Sequence, residues 1–140
     1  MALDTEINDR SYLYGRLLAV ADKMESLALY KKDIKRQTSA KRYMNAFSKR
    51  PFKTWKTIEL NLGPYWDTIG PRSSFFYSRL IDEIMAKFEH DDFVDNGQLD
   101  TKFLLGYHCQ LYELNKKSDK KENDNTEEND NTETEGDLNE

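Results

Sequence analysis

The sequence has little cysteine, proline or glycine: one, three and six residues respectively. The single cysteine, Cys109, excludes an intramolecular disulfide and any metal cluster built on several cysteines. The low proline and glycine counts disfavour an all-β fold, which needs many tight turns. No apolar run approaches the roughly 18–20 residues that a membrane-spanning helix requires. Since the first residues also lack the basic and apolar regions of a secretory signal, we expect a cytoplasmic protein with no membrane contact.

Charge divides the chain into two parts. Residues 118–140 contain ten acidic residues, two lysines and one large apolar residue, Leu138, which gives a net charge of −8. Residues 1–117 have a net charge of +3 and contain every other hydrophobic residue. A segment with so few apolar residues cannot bury enough surface to fold. We therefore predict one domain over residues 1–117, followed by a disordered acidic tail over residues 118–140.

Apolar residues recur every three or four positions through residues 9–114, which is the spacing of amphipathic helices. In the first predicted helix, over residues 9–30 and capped by Asn8 or Asp9, they form one stripe: Leu13, Leu17, Val20, Met24 and Leu27. Thr38 or Ser39 is expected to cap a short second helix that ends before Pro51.

Two prolines mark the starts of further helices. Pro51 suits the first turn of a third helix, which we expect to continue with a kink through Gly63-Pro64, and Pro71 suits the start of a fourth. Asn96 is expected to cap the last helix. Four to five helices with short connections predict an all-α fold, a compact bundle. Its predicted core contains Tyr43, Phe47, Trp55, Leu80, Ile84 and Phe103.

Residues with catalytic chemistry are few. There is no Gly-rich phosphate loop, no nucleophile near a paired base and no metal-ligand spacing. His90 precedes two aspartates, an arrangement more typical of a solvated helix end than of a cation site. His108 and Cys109 are adjacent, and adjacent residues on a helix point about 100° apart, so they cannot form a catalytic pair. We expect no catalytic residue, no metal and no cofactor, unless His90 or His108 lies in a polar cleft beside a second titratable group.

The strongest functional feature is the basic segment, which we define as residues 31–56. It contains ten basic residues and a single acidic one, Asp33, for a net charge of +9, whereas the rest of residues 1–117 carries −6. Because acidic partners are nearly missing, i,i+4 salt bridges cannot account for the run. A surface of one sign attracts phosphate. We predict nucleic-acid backbone contacts from Lys31, Lys32, Lys35, Arg36, Lys41, Arg42, Lys49, Arg50, Lys53 and Lys56.

Three short segments resemble one protein family. Residues 12–23 (YLYGRLLAVADK), 42–51 (RYMNAFSKRP) and 105–110 (LGYHCQ) are similar, in the same order, to YLxGRLxAxxEK, RYxxxAxxxP and LGYxxQ of the type I-C CRISPR large subunit. These patterns belong to the helical C-terminal domain of that much longer chain. The chain departs from the family at Gly63-Pro64, which interrupts a helix that is usually regular, and at Cys109, where histidine or tyrosine is common.

The resemblance implies a non-catalytic small subunit of Cascade, the RNA-guided surveillance complex of antiviral defence, translated separately from within the large-subunit gene. Such a subunit stabilises the R-loop by holding the displaced non-target DNA strand and bracing the guide–target duplex. The implied partners are the Cascade backbone and large subunits, guide RNA, target DNA and another copy of this chain. The resemblance also implies that Gly15 and Gly106 serve helix packing.

Two further interpretations remain open from the residues. The first is a helical protein–protein adaptor whose basic face docks on an acidic subunit without nucleic-acid contact. The second concerns the adjacent aromatic residues Phe75, Phe76 and Tyr77. Three consecutive side chains cannot all face one core, so we expect one of them to be available to a partner.

Overall fold

The fold is all-α, as the sequence predicts. The computed structural model describes residues 2–128, and the side chains of residues 2–116. This part of the chain contains no strand, and its helices are α1 (Arg10–Lys31), α2 (Ser39–Arg42), α3 (Met44–Lys49), α4 (Pro51–Leu62), α5 (Gly70–Met85) and α6 (Lys102–Glu128). None of these helices combines the length and the apolar character needed to cross a membrane.

Helix α1 is the centre of the bundle. It contacts α2, α4, α5 and α6, and every residue from Ser11 to Asp22 is buried. The prediction of a single apolar stripe is therefore too narrow, because neighbours cover α1 on nearly all sides. Only Leu27 of the predicted stripe is partly buried rather than fully buried.

The predicted helix starts are largely confirmed. Asp9 caps α1 by accepting hydrogen bonds from the backbone N–H groups of Ser11 (3.1 Å) and Tyr12 (3.3 Å). Thr38 caps α2 by accepting from the N–H of Lys41 at 3.2 Å. Pro51 is the first residue of α4, and Pro71 lies in the first turn of α5, where a missing N–H costs nothing.

Three local predictions are wrong. The single short helix predicted before Pro51 is divided at Tyr43 into α2 and α3, so the described residues contain six α-helices and not four or five. Helix α4 ends at Leu62 and is followed by a 3-10 turn, Gly63–Tyr65, instead of one kinked helix. Pro64 explains the change, since it has no N–H to continue the i→i−4 bonding and its ring crowds the preceding turn. Asn96 is not a helix cap, because α6 begins at Lys102. Its side-chain oxygen instead accepts a hydrogen bond from the N–H of Lys53 at 3.2 Å.

The predicted core is correct at four of six positions. Phe47, Trp55, Ile84 and Phe103 are buried, whereas Tyr43 and Leu80 are only partly buried at its edge.

The two predicted packing glycines lie where α1 and α6 cross. A Cβ atom built on Gly15 would collide with the carbonyl oxygen of Phe103 and would lie 2.7 Å from the backbone nitrogen of Tyr107. A Cβ on Gly106 would collide with the carbonyl oxygen of Tyr12. The close approach confirms the packing role that the resemblance implied for both glycines.

The predicted acidic tail falls mainly outside the described part of the chain. The backbone of α6 continues to Glu128, but the side chains from residue 117 onward and all of residues 129–140 are not described. The domain boundary at residue 117 and the disorder of residues 118–140 stay predictions.

Candidate nucleic-acid interface

The basic segment runs over the end of α1, the loop of residues 32–38, α2, α3 and the first turns of α4. All ten predicted cations lie on the surface. Their availability differs, however, because some of them are held by contacts within the domain.

Arg36 is the most strongly held of these cations. Its Nη1 donates to Oε2 of Glu25 at 3.0 Å, and its Nη2 donates to the hydroxyl of Tyr65 at 2.6 Å. Partial burial lowers the pKa of Arg36, but the hydrogen bonds to Tyr65 and Glu25 outweigh that effect and raise it above its usual value. Glu25 is completely buried, so the guanidinium neutralises a carboxylate that has no access to water. Arg36 thus anchors the loop to α1.

The same buried carboxylate also fixes the start of α2. Oε1 of Glu25 accepts a hydrogen bond from the N–H of Ser39 at 2.8 Å. One turn earlier in α1, Asp22 accepts from the hydroxyls of Thr38 (2.6 Å) and Tyr107 (2.5 Å). Burial and the bond to Asp22 raise the pKa of Tyr107 above its usual value. Two acidic residues inside the core therefore hold the loop and the start of α2 in place. This role was not predicted from the sequence.

Lys35 is the second cation with a carboxylate partner. Its Nζ lies 3.4 Å from Oδ1 of Asp33, and both side chains are almost fully exposed. An ion pair of this kind contributes little, because water and salt screen it. Lys35 can exchange Asp33 for a phosphate.

The other eight cations have no carboxylate within 4.0 Å among residues 2–116. Three of them lie over aromatic rings: Arg42 is 5.0 Å from the ring centroid of Tyr43, Lys56 is 5.0 Å from that of Phe52, and Lys32 is 6.0 Å from that of Tyr65. The eight available cations are Lys31, Lys32, Lys41, Arg42, Lys49, Arg50, Lys53 and Lys56.

The structure brings some of the predicted residues together. Lys32 and Arg36 approach the same ring, that of Tyr65, at 6.0 and 5.8 Å. Lys53 and Lys56 are three residues apart in α4, so they lie on one face of that helix. Tyr65 comes directly after Pro64, in the turn that follows α4. Nothing in the sequence pattern indicates that its ring contacts two cations.

The residues considered for catalysis lie outside the basic segment. His90 is exposed on a turn with a positive φ of 46°. His108 is exposed on α6, whereas Cys109 beside it is buried. In the described residues, no group of three or more His, Cys, Asp or Glu side chains could hold a metal ion. The absence of catalysis stays a prediction.

The three consecutive aromatic residues of α5 separate as expected. Tyr77 is buried, whereas Phe75 is 65% exposed and Phe76 is 41% exposed. Two apolar rings are therefore available on the surface of α5, on a helix that the basic segment does not include.

The structure is that of an all-α protein whose basic segment is largely not neutralised by internal ion pairs. Comparison with known protein families shows which family the chain belongs to. The model of a family of CRISPR-associated proteins matches residues 1–114, almost the whole of the predicted domain. The chain belongs to that family, Cas_Csd1. The search of curated proteins gave no match. The CRISPR association implied by the three sequence motifs is therefore confirmed.

Proposed function

We propose that the protein is a non-catalytic small subunit of a type I-C Cascade complex and that its basic segment holds nucleic-acid backbone. The family match over residues 1–114 supports a role in a CRISPR complex, and the three motifs support the type I-C assignment. The proposed partners are the backbone and large subunits, guide RNA, target DNA with its non-target strand, and a second copy of the chain.

The observation that carries this proposal is the set of eight exposed cations without a carboxylate partner in the described residues. Replacing a DNA duplex by an RNA–DNA duplex is nearly balanced in free energy, so contacts to the strand backbones can decide whether an R-loop persists. Cations that are not neutralised within the domain can make such contacts without first breaking an internal ion pair. The buried carboxylates of Asp22 and Glu25 hold the elements that carry these cations.

Co-purification with the backbone subunit and guide RNA tests the assembly part of the proposal. We expect the chain to enter a discrete particle, and a chain that stays outside every particle would contradict the subunit role. The R-loop part is tested in that particle with a variant in which Lys41, Arg42, Lys49 and Arg50 are all changed to Ala. R-loops should dissociate faster, and binding of a single strand should lose about 0.7 in the slope of log affinity against log salt for each phosphate contact removed.

A matched pair of double variants controls for the loss of charge alone. Lys53→Ala with Lys56→Ala removes two lysines of the basic segment, whereas Lys102→Ala with Lys116→Ala removes two exposed lysines of α6. Only the first pair should change R-loop lifetime and salt slope. Equal effects of the two pairs would mean that net charge, and not this surface, governs binding.

A protein–protein adaptor is the second candidate function. Leu60 is exposed on α4, and the adjacent residues Leu104 and Leu105 are about half exposed on α6. Exposed apolar side chains favour contact with another protein. An adaptor would enter the particle as the proposed subunit does, but its basic-segment variants would lose a partner subunit while single-strand binding stayed unchanged.

A further inference from the structure

A pocket of about 530 Å³ lies between α1, α5, α6 and the segment before α1, which contributes Leu3 and Thr5. This volume falls within the range of small-molecule binding sites, roughly 300–1,000 Å³. Its lining combines cationic, aromatic and acidic side chains, and none of them belongs to the basic segment. The pocket is therefore a separate candidate site.

A buried cation without an ionic partner forms part of the pocket wall. Arg16 of α1 is only 3% exposed, and its Nε donates to Oε1 of Gln110 at 2.7 Å. Its Nη1 is buried and has no hydrogen-bond acceptor in the described residues. Among the same residues, no carboxylate lies within 4.0 Å of the guanidinium. Burial lowers the pKa of Arg16. A buried donor that lacks an acceptor is costly, and the guanidinium gives this wall of the pocket a positive charge that no carboxylate within 4.0 Å balances.

The α5 side of the pocket supplies two arginines and two rings. Arg72 and Arg79 line it together with Phe75 and Phe76. The guanidinium of Arg79 lies 5.8 Å from the ring centroid of Phe75, and both rings are exposed. Flat apolar surface next to cations is the combination that binds a base and its phosphate in single-stranded nucleic acid.

We infer that this pocket binds one nucleotide of a single strand, with the base on Phe75 and Phe76 and the phosphate toward Arg16 and Arg72. This inference rests on the proposed function and adds a base-dependent contact to the phosphate contacts of the basic segment. Arg16 and Glu25 are nine residues apart in α1, which corresponds to about two and a half helical turns. The two residues therefore lie on opposite sides of the helix axis. Because Glu25 holds Arg36, the pocket and the loop of the basic segment lie on opposite sides of α1.

The pocket offers different partners to the two ends of a nucleotide. Glu83 and Glu113 line it beside the arginines, and Oε2 of Glu83 lies 3.8 Å from Nε of Arg79, so Arg16 and Arg72 are the cations left for an anion. A nucleotide brings an anion at one end and, in adenine, cytosine and guanine, an amino group at the other. The glutamates can accept hydrogen bonds from that amino group.

The test compares two fluorescent strands of equal length, one with ordinary bases and one made entirely of abasic sites. The full chain should bind the base-containing strand more tightly. The double variant Phe75→Ala with Phe76→Ala should bind that strand about 5-fold or more weakly, the lower bound for loss of one stacked base. Its affinity for the abasic strand should not change.

Tyr112→Ala is the matched control. Tyr112 is half exposed on α6 and does not line the pocket, although its neighbour Glu113, about 100° away around the helix axis, does. It should leave both affinities unchanged. Equal affinity of the double phenylalanine variant and the unmodified chain for the base-containing strand would overturn the inference while leaving the basic segment's role intact.

Two further outcomes separate this inference from the proposed function. If the unmodified chain bound neither strand, alone or within the particle, the pocket inference and the nucleic-acid part of the proposed function would fail together. If the phenylalanine variant bound both strands normally but no longer entered the particle, the pocket would hold a partner protein, and the nucleotide assignment would be wrong.

Discussion

Gly15 of α1 and Gly106 of α6 each lie directly against the backbone of the opposite helix. The pairs are reciprocal, since Gly15 faces Phe103 and Tyr107 while Gly106 faces Tyr12. Glycine in a helix costs roughly 1 kcal/mol relative to alanine, and here that cost is offset by the close approach of two helices. The approach also brings Tyr107 within hydrogen-bond distance of Asp22, so the crossing supports the network beneath the basic segment.

We predict that Gly15→Ala and Gly106→Ala each destabilise the domain by at least about 2 kcal/mol, because the added methyl group meets backbone atoms that cannot move independently. Chemical denaturation measures the effect. Gly63→Ala is the control, since Gly63 has a helical φ of −44° and a methyl group there would meet no atom within 4 Å, and its cost should stay below about 1 kcal/mol. Similar costs at all three positions would contradict a special role for the crossing.

Two apolar positions of α5 should differ in how much they stabilise the domain. Ile84→Ala should cost about 2–5 kcal/mol, the usual range for a fully buried aliphatic side chain, whereas Leu80→Ala should cost less because Leu80 is only partly buried. The free energies of unfolding of the two variants show whether Ile84→Ala costs more than Leu80→Ala. A cost below about 1 kcal/mol for Ile84→Ala would show that its side chain does not fill the core.

Two cations of the basic segment should respond differently to removal. Arg36→Ala leaves the buried carboxylate of Glu25 without its cation, so we expect a loss of about 1–2 kcal/mol in unfolding free energy. Lys41→Ala should change stability by less than about 0.5 kcal/mol but should weaken binding of a single strand. Denaturation and strand binding, measured on both variants, separate an anchoring cation from a binding one. A stable Arg36→Ala variant with weakened binding would reverse the assignment.

Buried tyrosines predict a loss of stability at alkaline pH. Burial raises the pKa of Tyr77 to about 12, above the value near 10 of an unfolded chain. Between these values the unfolded chain binds fewer protons than the folded one. The free energy of unfolding should then fall by up to about 1.4 kcal/mol per pH unit for this group, with no such effect below about pH 9.

Tyr77→Phe should make that alkaline slope shallower without removing it, because burial also raises the pKa of Tyr14 and Tyr107. Tyr112→Phe serves as the control, since its side chain is half exposed in the folded domain. Unfolding free energies measured from pH 8 to 12 give the comparison. Identical slopes for the unmodified chain and Tyr77→Phe would show that folding does not perturb this hydroxyl.

The acidic tail makes a prediction that depends on charge alone. Residues 118–140 carry −8 and are tethered to a segment that carries +9, so the tail acts as a competing anion at an effective concentration of about 1 mM. A chain truncated after Lys117 should bind non-specific single-stranded DNA more tightly than the full chain at low salt. The two should converge as salt screens both interactions. Equal affinities at low salt would make the tail a solubility segment only.

Much of the helical framework could be predicted from local sequence. Asp9, Thr38 and Pro51 act within a few residues of their own positions, through hydrogen bonds or a fixed φ angle, so their effects are visible in sequence. The family resemblance was predictable for the same reason, because its motifs are contiguous. Asn96 misled the prediction: its side chain bonds to Lys53, 43 residues away, and a contact of that separation leaves no local pattern.

The sequence by itself determined the all-α class, most helix starts and the concentration of positive charge in residues 31–56, since periodicity, capping and charge are properties of neighbouring residues. Tertiary structure alone decided which charges are available. Arg36 is held because α1 presents Glu25 beneath the loop, and Arg16 is buried beside a pocket because α5 and α6 close around it. The physical reason is that desolvation and pairing depend on which helices meet, and segments far apart in the chain decide that together.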